Sequence, residues 1–204
     1  MPEKPEVLTV VSALKSKLIG KKIIKCDVYW NNIIVKPSVL DFCKQIANQK
    51  ILTIKSRGKW IVIELSRDVL LIHLRMEGKF FFRQAGAERS IHEHVIFTLD
   101  DGMECRYADV RKFGKMYLLK KEMAKEEEPL KSLGYEFDDS RLTKEYLKEK
   151  FAKKNLPIKT VLLDQTIVAG IGNIYDDEIL FLSKLSPLAK AKNLSLDQCD
   201  LIIQ

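Results

Sequence analysis

The chain has 204 residues, with 35 Lys+Arg against 28 Asp+Glu, a formal net charge of +7 and 46% hydrophobic residues. That balance excludes a disordered polyelectrolyte and fits one or two compact folded domains, while the absence of any run of about 18 apolar residues excludes a membrane-spanning helix. Residues 1–60 carry a net +8 and the remainder −1, an asymmetry that suits a polyanion partner and equally a lysine-rich solvated face.

In chain order, Val7, Val10, Val11, Leu14 and Leu18 have helical spacing, and Gly20 ends the helix. Lys22 to Trp30 reads as a strand, and Ser38 caps a short helix running to Ile46. From Ile51 to Tyr117 the pattern is β. Ile51–Lys55 and Trp60–Leu65 flank the tight Ser56-Arg57-Gly58-Lys59 connection, and the apolar Val69–Leu74 predicts a central strand. Val95–Leu99 and Met103–Tyr107 flank Asp100-Asp101-Gly102, a hairpin signal, and Lys115–Leu119 is a further strand. Lys120 to Pro129 is a charged stretch with the character of a linker. Helices follow at Leu142–Phe151, Ile158–Leu163, Asn173–Leu182 and from Leu194-Ser195 onward. The expected organisation is α+β: a helix plus β domain over residues 1–120, a linker over 121–130 and an all-helical domain over 131–204.

Cys26, Cys43, Cys105 and Cys199 are far apart in sequence, with no Cys-x-x-Cys. Reduced buried thiols are expected, and no zinc site follows from closely spaced ligands. His92 and His94 lie two apart on a predicted strand and so face one side, but no third ligand is near, so no metal is assigned. The start, with Glu3 and Glu6, lacks a basic-then-apolar leader, so export is not expected.

Met1-Pro2-Glu3-Lys4-Pro5-Glu6 admits a chemical reading and a bland one. Initiator Met is usually removed before a small residue, which would leave a secondary amine at Pro2. An α-amino group titrates near roughly 7.7–8.0, so part of it is neutral and nucleophilic at physiological pH. Its condensation with a sugar aldehyde carbon gives an iminium, an electron sink for elimination. Glu3 can protonate a sugar oxygen, and Glu6 lies one helical turn on. Equally, Pro and Glu are ordinary residues at a helix start.

Four further blocks bear on that choice. They are Arg57-Gly58-Lys59, His73-Leu74-Arg75-Met76-Glu77-Gly78-Lys79, Tyr107-Ala108-Asp109-Val110-Arg111-Lys112-Phe113-Gly114, and Leu163-Asp164-Gln165 running into Ala169-Gly170-Ile171-Gly172-Asn173-Ile174-Tyr175-Asp176-Asp177-Glu178. Together with the opening, and in this order over essentially the whole chain, they closely resemble the formamidopyrimidine-DNA glycosylase family of base-excision repair. The resemblance implies a β-sandwich-like N-terminal domain, a helix–two-turn–helix domain, and DNA in the cleft between them.

Roles at matching positions follow from the same resemblance. Pro2 would be the Schiff-base nucleophile at C1′ and Glu3 the proton donor. Lys59 would serve elimination and phosphate contact, although alone it reads as a solvated hairpin lysine. Met76, Arg111 and Phe113 would fill the void left by a flipped nucleotide, with Arg111 reading the orphaned cytosine. Without the family, Met76 and Phe113 read as core and Arg111 as a surface ion pair. His92, and more weakly His73, would contact DNA, as would Lys154 and Lys159. Asn173, at a helix start, would bind phosphate or simply cap the helix.

The implied partner is double-stranded DNA containing oxidised bases, bound by a monomer in the bacterial cytoplasm, at the nucleoid. Relatives continue past this chain into a lesion-capping loop and a four-cysteine zinc finger, so no cofactor is expected here although one structural zinc is expected in full-length relatives. The pattern stopping at Gln204 suggests truncation, with weakened DNA affinity and catalysis expected. An endonuclease VIII-type enzyme acting on oxidised pyrimidines and a non-catalytic DNA-binding module are the alternatives.

Overall fold

The computed structural model describes residues 2–204 and divides the chain into two compact units, residues 1–127 and 128–204. The first unit opens with α1 (Lys4–Leu18), which buries Val7, Val11, Leu14 and Leu18 along one stripe. There follow β1 (Lys22–Val28), β2 (Ile34–Lys36), α2 (Val39–Ile46), β3 (Gln49–Arg57), β4 (Trp60–Leu65), β5 (Asp68–His73), β6 (Lys79–Gln84), β7 (Glu93–Leu99), β8 (Met103–Ala108) and β9 (Lys115–Lys120). Ser38 caps α2 as its sequence position predicts, its Oγ accepting the Asp41 N–H at 3.2 Å.

The strands run in the order β2-β9-β5-β4-β3-β1-β7-β8-β6, antiparallel throughout except for β2 against β9. β1 and β3 share only the pairs Lys22↔Lys50 and Ile23↔Gln49, so this junction separates a five-stranded half from a four-stranded half. One apolar core draws on both halves, from Ile61, Leu70 and Ile72 on one side and Val95, Phe97 and Tyr107 on the other, with α1 and α2 closing it. This is the sandwich-like layering expected of the N-terminal part. β5, paired on both edges, is buried at every residue, which is why its sequence shows no alternation.

Two strands were not expected from the sequence. In β6, Phe80 and Phe82 pack on the core while Lys79, Phe81 and Arg83 face out; three consecutive phenylalanines hide the period of two. β2 is a three-residue piece, too short for any pattern. β1 stops at Val28 rather than Trp30 because the chain turns into a single 3₁₀ turn at Asn31–Ile33.

The second unit holds α3 (Lys144–Phe151), α4 (Ile158–Leu162), α5 (Asn173–Leu182) and α6 (Leu196–Ile203). α3 begins two residues later than the apolar spacing suggests, because the Thr143 Oγ1 accepts the Tyr146 N–H at 3.2 Å and fixes the start. Ser195 and Gln198 form a capping box at α6: the Ser195 N–H donates to Gln198 Oε1 at 2.9 Å and the Gln198 N–H to Ser195 Oγ at 3.2 Å. Leu147, Phe151, Ile158, Val161, Leu162, Leu180, Leu194 and Cys199 form a separate core. Gly134 is required where it stands, since a Cβ there would lie 2.2 Å from the Ile167 carbonyl oxygen. No helix among the described residues is long and apolar enough to cross a membrane.

Candidate active site

The start of α1 is pinned at several points. Glu3 occupies the N-cap, 2% exposed, and its backbone N–H donates to the Glu6 carboxylate at 2.9 Å. Glu6 therefore caps the helix and holds the Glu3 backbone, a positioning contact for the residue it was grouped with. The Lys4 ammonium donates to Ser56 Oγ at 2.8 Å, docking the first turn of α1 on the end of β3. The β3–β4 connection turns at Gly58, whose φ of +55° favours glycine, and delivers Lys59. That lysine is 5% exposed, so it is not the solvated hairpin lysine its sequence position suggests. Burial lowers its pKa below the ordinary lysine value, the Glu3 charge opposing and Arg75 adding to the shift. Glu3 and Arg75 both lie within electrostatic reach of Lys59.

Strand register gathers the next groups. Trp60 pairs with His73, and His73 with Lys115. One row across β4, β5 and β9 therefore brings Lys59, the loop after β5 and the loop before β9 to the same end of the sheet. The first loop, Leu74–Gly78, closes when the Gly78 N–H donates to the Leu74 carbonyl at 3.0 Å, leaving Met76 43% exposed at its tip. The second, Asp109–Gly114, is wrapped around the carboxylate of the buried Asp109. Oδ1 accepts the Arg111 N–H at 3.1 Å and Oδ2 the Gly114 N–H at 2.8 Å. Phe113 is 49% exposed, with the Arg111 guanidinium 4.9 Å from its ring centroid. Core packing is thus wrong for Met76 and Phe113, and Arg111 stacks on an aromatic face.

His73 is buried edge-on against Trp60 at 4.8 Å, and its Nδ1 accepts the Arg75 N–H at 3.0 Å. Burial, reinforced by Arg75 and Lys59, lowers its pKa to about 3. It is a neutral ring whose proton sits on Nε2, so it offers a hydrogen-bond donor and not the cation a phosphate contact suggests. His92 is half-buried and precedes β7, with its carbonyl accepting the Asp109 N–H at 3.0 Å. His94 is buried, its Nε2 2.9 Å from the Asp109 carbonyl oxygen. A register shift between Glu93 and Val95 and these separate environments remove the shared face that a strand alternation predicts. Arg106, fully buried, bonds Glu104 and Glu93 and the carbonyls of Ala87 and Glu88, tying the segment before His92 to β8.

In the second unit Lys154 pairs with Asp164 at 3.1 Å and Lys159 with Asp177. Burial raises the Asp164 pKa, but hydrogen bonds from Thr166 and Lys154 outweigh it and hold the carboxyl below its usual value. Asn173 is the first residue of α5 and is exposed; the N-cap is Gly172, so the capping role does not apply. The turn before it, with Gly170 at φ +108°, is stapled by the Gln165 amide. That group donates to the Leu163 and Ile171 carbonyls at 3.0 and 2.9 Å and accepts the Gly170 N–H at 3.0 Å.

Gln165, Asp109 and Arg106 were absent from the sequence-derived site. Only the first two lie in the family-like blocks, and a polar residue that organises a loop carries no periodic signal. Among the described residues no cluster of three or more His, Cys, Asp or Glu could hold a metal, and Cys26, Cys43, Cys105 and Cys199 are all free thiols. The described residues therefore do not fit a zinc ion.

Sequence models of two domains match the chain: the formamidopyrimidine-DNA glycosylase N-terminal domain over residues 1–116 and the formamidopyrimidine-DNA glycosylase H2TH domain over residues 133–204. The chain belongs to the formamidopyrimidine-DNA glycosylase family. The formamidopyrimidine-DNA glycosylase of Bacillus subtilis is 45% identical over 196 residues, 96% of this chain and 71% of that protein. The protein of the same description from Cytobacillus firmus is 44% identical over 97% of this chain and 73% of its own length. Among solved structures, the Lactococcus lactis Fpg in complex with DNA containing an abasic site superimposes with a TM-score of 0.91 at 32% identity, covering 98% of this chain and 74% of that one. A complex of an inhibited enzyme with DNA containing N7-benzyl-Fapy-dG gives 0.92 at 33% identity, covering 99% and 75%.

Proposed function

We propose that the chain is a bifunctional DNA glycosylase and AP lyase that excises oxidised purines, 8-oxoguanine and formamidopyrimidines, from duplex DNA in base-excision repair. The observation that carries this is a buried Glu3, next in the chain to Pro2, whose charge acts on a buried lysine, Lys59, with a lowered pKa. The exposed Met76, Arg111 and Phe113 at one end of the same sheet support it.

Once Met1 is removed, the neutral Pro2 amine attacks C1′ of an everted deoxyribose while Glu3 protonates the ring oxygen. The C1′–N bond breaks and the base departs with its electron pair, taking up the proton given up by the Pro2 amine; the C1′–O4′ bond then opens onto the oxygen that Glu3 protonates, leaving a free 4′-hydroxyl. The resulting iminium at the Pro2 nitrogen withdraws electrons, so a C2′ proton can leave and the C3′–O bond break, releasing the 3′ phosphate. Burial favours the unprotonated form of Lys59, which suits it to take that proton. In an intact enzyme, repetition toward C5′ gives the second elimination. Met76 and Phe113 fill the vacated stack, and Arg111 presents a planar donor set to the orphaned cytosine. His92, Lys154, Lys159 and Asn173 hold phosphates, with the exposed helix start at Asn173 adding backbone N–H groups; Lys154 and Lys159 exchange their carboxylate partners for phosphate oxygens. The protein acts as a monomer in the bacterial cytoplasm, at the nucleoid.

Strand cleavage on duplexes carrying 8-oxoguanine opposite cytosine, beside duplexes carrying thymine glycol, tests the substrate class. Faster cleavage at 8-oxoguanine supports the purine assignment, whereas faster cleavage at thymine glycol points to the endonuclease VIII type. Binding without cleavage of either points to a non-catalytic module.

A further inference from the structure

The Tyr107 hydroxyl lies where the two exposed loops meet. A Cβ on Gly114 would lie 1.8 Å from this oxygen, and one on Gly78 2.4 Å away. The hydroxyl is therefore in contact with the backbone of both loops, and neither position accepts a side chain without displacement. The ring is fully buried, edge-on to Phe80 at 5.4 Å. Its oxygen is 3.5 Å from Asp109 Oδ2, the atom that also takes the Gly114 N–H at 2.8 Å. Burial and the neighbouring carboxylate both raise the phenol pKa, keeping it a neutral donor. Tyr107 and Asp109 are too enclosed to touch DNA. A hydroxyl buried between two glycines and facing a carboxylate is more than packing calls for, since phenylalanine would fill the same space without a polar atom to satisfy.

We propose that Tyr107, with Asp109, is a positioning residue that locks the Met76 loop and the Arg111–Phe113 loop in one register, so that both wedges enter the duplex together. The inference rests on the void-filling roles proposed above. Loss of the hydroxyl leaves the β5–β9 ladder joining the loops only at their bases, and the tips move independently.

Two variants, Tyr107→Phe and Asp109→Asn, test it in two ways. In amide hydrogen exchange of the free protein, Y107F is expected to speed exchange at the Gly78 and Gly114 amides together by about tenfold, the scale of one hydrogen bond to a charged group, with exchange in β4 and β5 unchanged. In single-turnover assays both variants slow excision of 8-oxoguanine opposite cytosine about tenfold yet change cleavage at a preformed abasic site less than about twofold, because an abasic nucleotide leaves the stack at lower cost. A change confined to one loop, no change in either, or equal slowing on both substrates overturns the proposal. A wild-type protein inert on both substrates contradicts the proposed function instead, and the exchange result still decides whether the loops are coupled.

Discussion

Lys59 and His73 show how far burial changes two residues whose sequence positions look ordinary. For Lys59 a lowered pKa raises the neutral fraction near neutral pH, so a step that uses the free amine accelerates as pH rises toward that pKa and then levels. Lys59→Arg, which stays charged at every accessible pH, is expected to slow strand cleavage at a preformed abasic site at least about tenfold and to flatten its pH dependence; an unchanged profile contradicts the role. His73 acts on stability. Its folded pKa of about 3 lies below its unfolded value, so the unfolded chain takes up a proton that the folded chain refuses. Stability is therefore full above about pH 6.5 and falls as pH drops toward 3, by about 1.4 kcal/mol per pH unit. Between pH 6.5 and 5 urea denaturation should show about 2 kcal/mol of loss that is missing in His73→Asn, whose side-chain oxygen can still accept the Arg75 N–H. The sequence offers Pro2 and Glu3 as candidate chemistry and Lys59 only through the family resemblance, and nothing in it signals that Lys59 is buried. The neighbouring strand end is met by α1 through Lys4 to Ser56, a contact between residues 52 apart that no local pattern encodes.

At the scale of elements, β4, β5, β7 and β8 and the ends of α2 and α5 follow from apolar patterning and turn chemistry within a residue or two. β6 was lost in its Phe run, and the supporting polar network was invisible because its members are single residues without period. Arg106 is the clearest case: a lone arginine in an otherwise ordinary strand sequence that is fully buried and bonded to two carboxylates and two carbonyls. Arg106→Met leaves Glu93 and Glu104 without their countercharge, so a loss of about 3–5 kcal/mol is expected by chemical denaturation; a loss under about 1 kcal/mol contradicts the network's role. In the second unit, Gln165→Ala frees the Gly170 N–H and the Ile171 carbonyl in the turn leading into α5. Weaker DNA binding is expected, with the melting temperature lowered by only a few degrees. Unchanged binding would show that the turn does not need its staple.

For the molecule as a whole, the first unit is basic and sheet-rich and the second helical, and the two domain models of one family match residues 1–116 and 133–204. The +8 of residues 1–60 gains meaning from where it leads, since the same stretch ends in a lysine buried beside Glu3. If phosphate contacts dominate binding, the affinity for duplex DNA falls with salt, its logarithmic slope being about −0.9 per phosphate neutralised. The central claim, however, is covalent. Borohydride reduction of the protein with a duplex carrying 8-oxoguanine opposite cytosine, followed by mass mapping, tests it most directly. The account predicts a stable adduct on the N-terminal peptide, at Pro2 with Met1 absent, and no adduct for Pro2→Gln. An adduct elsewhere, or a protein that keeps Met1 and is still trapped, would contradict it.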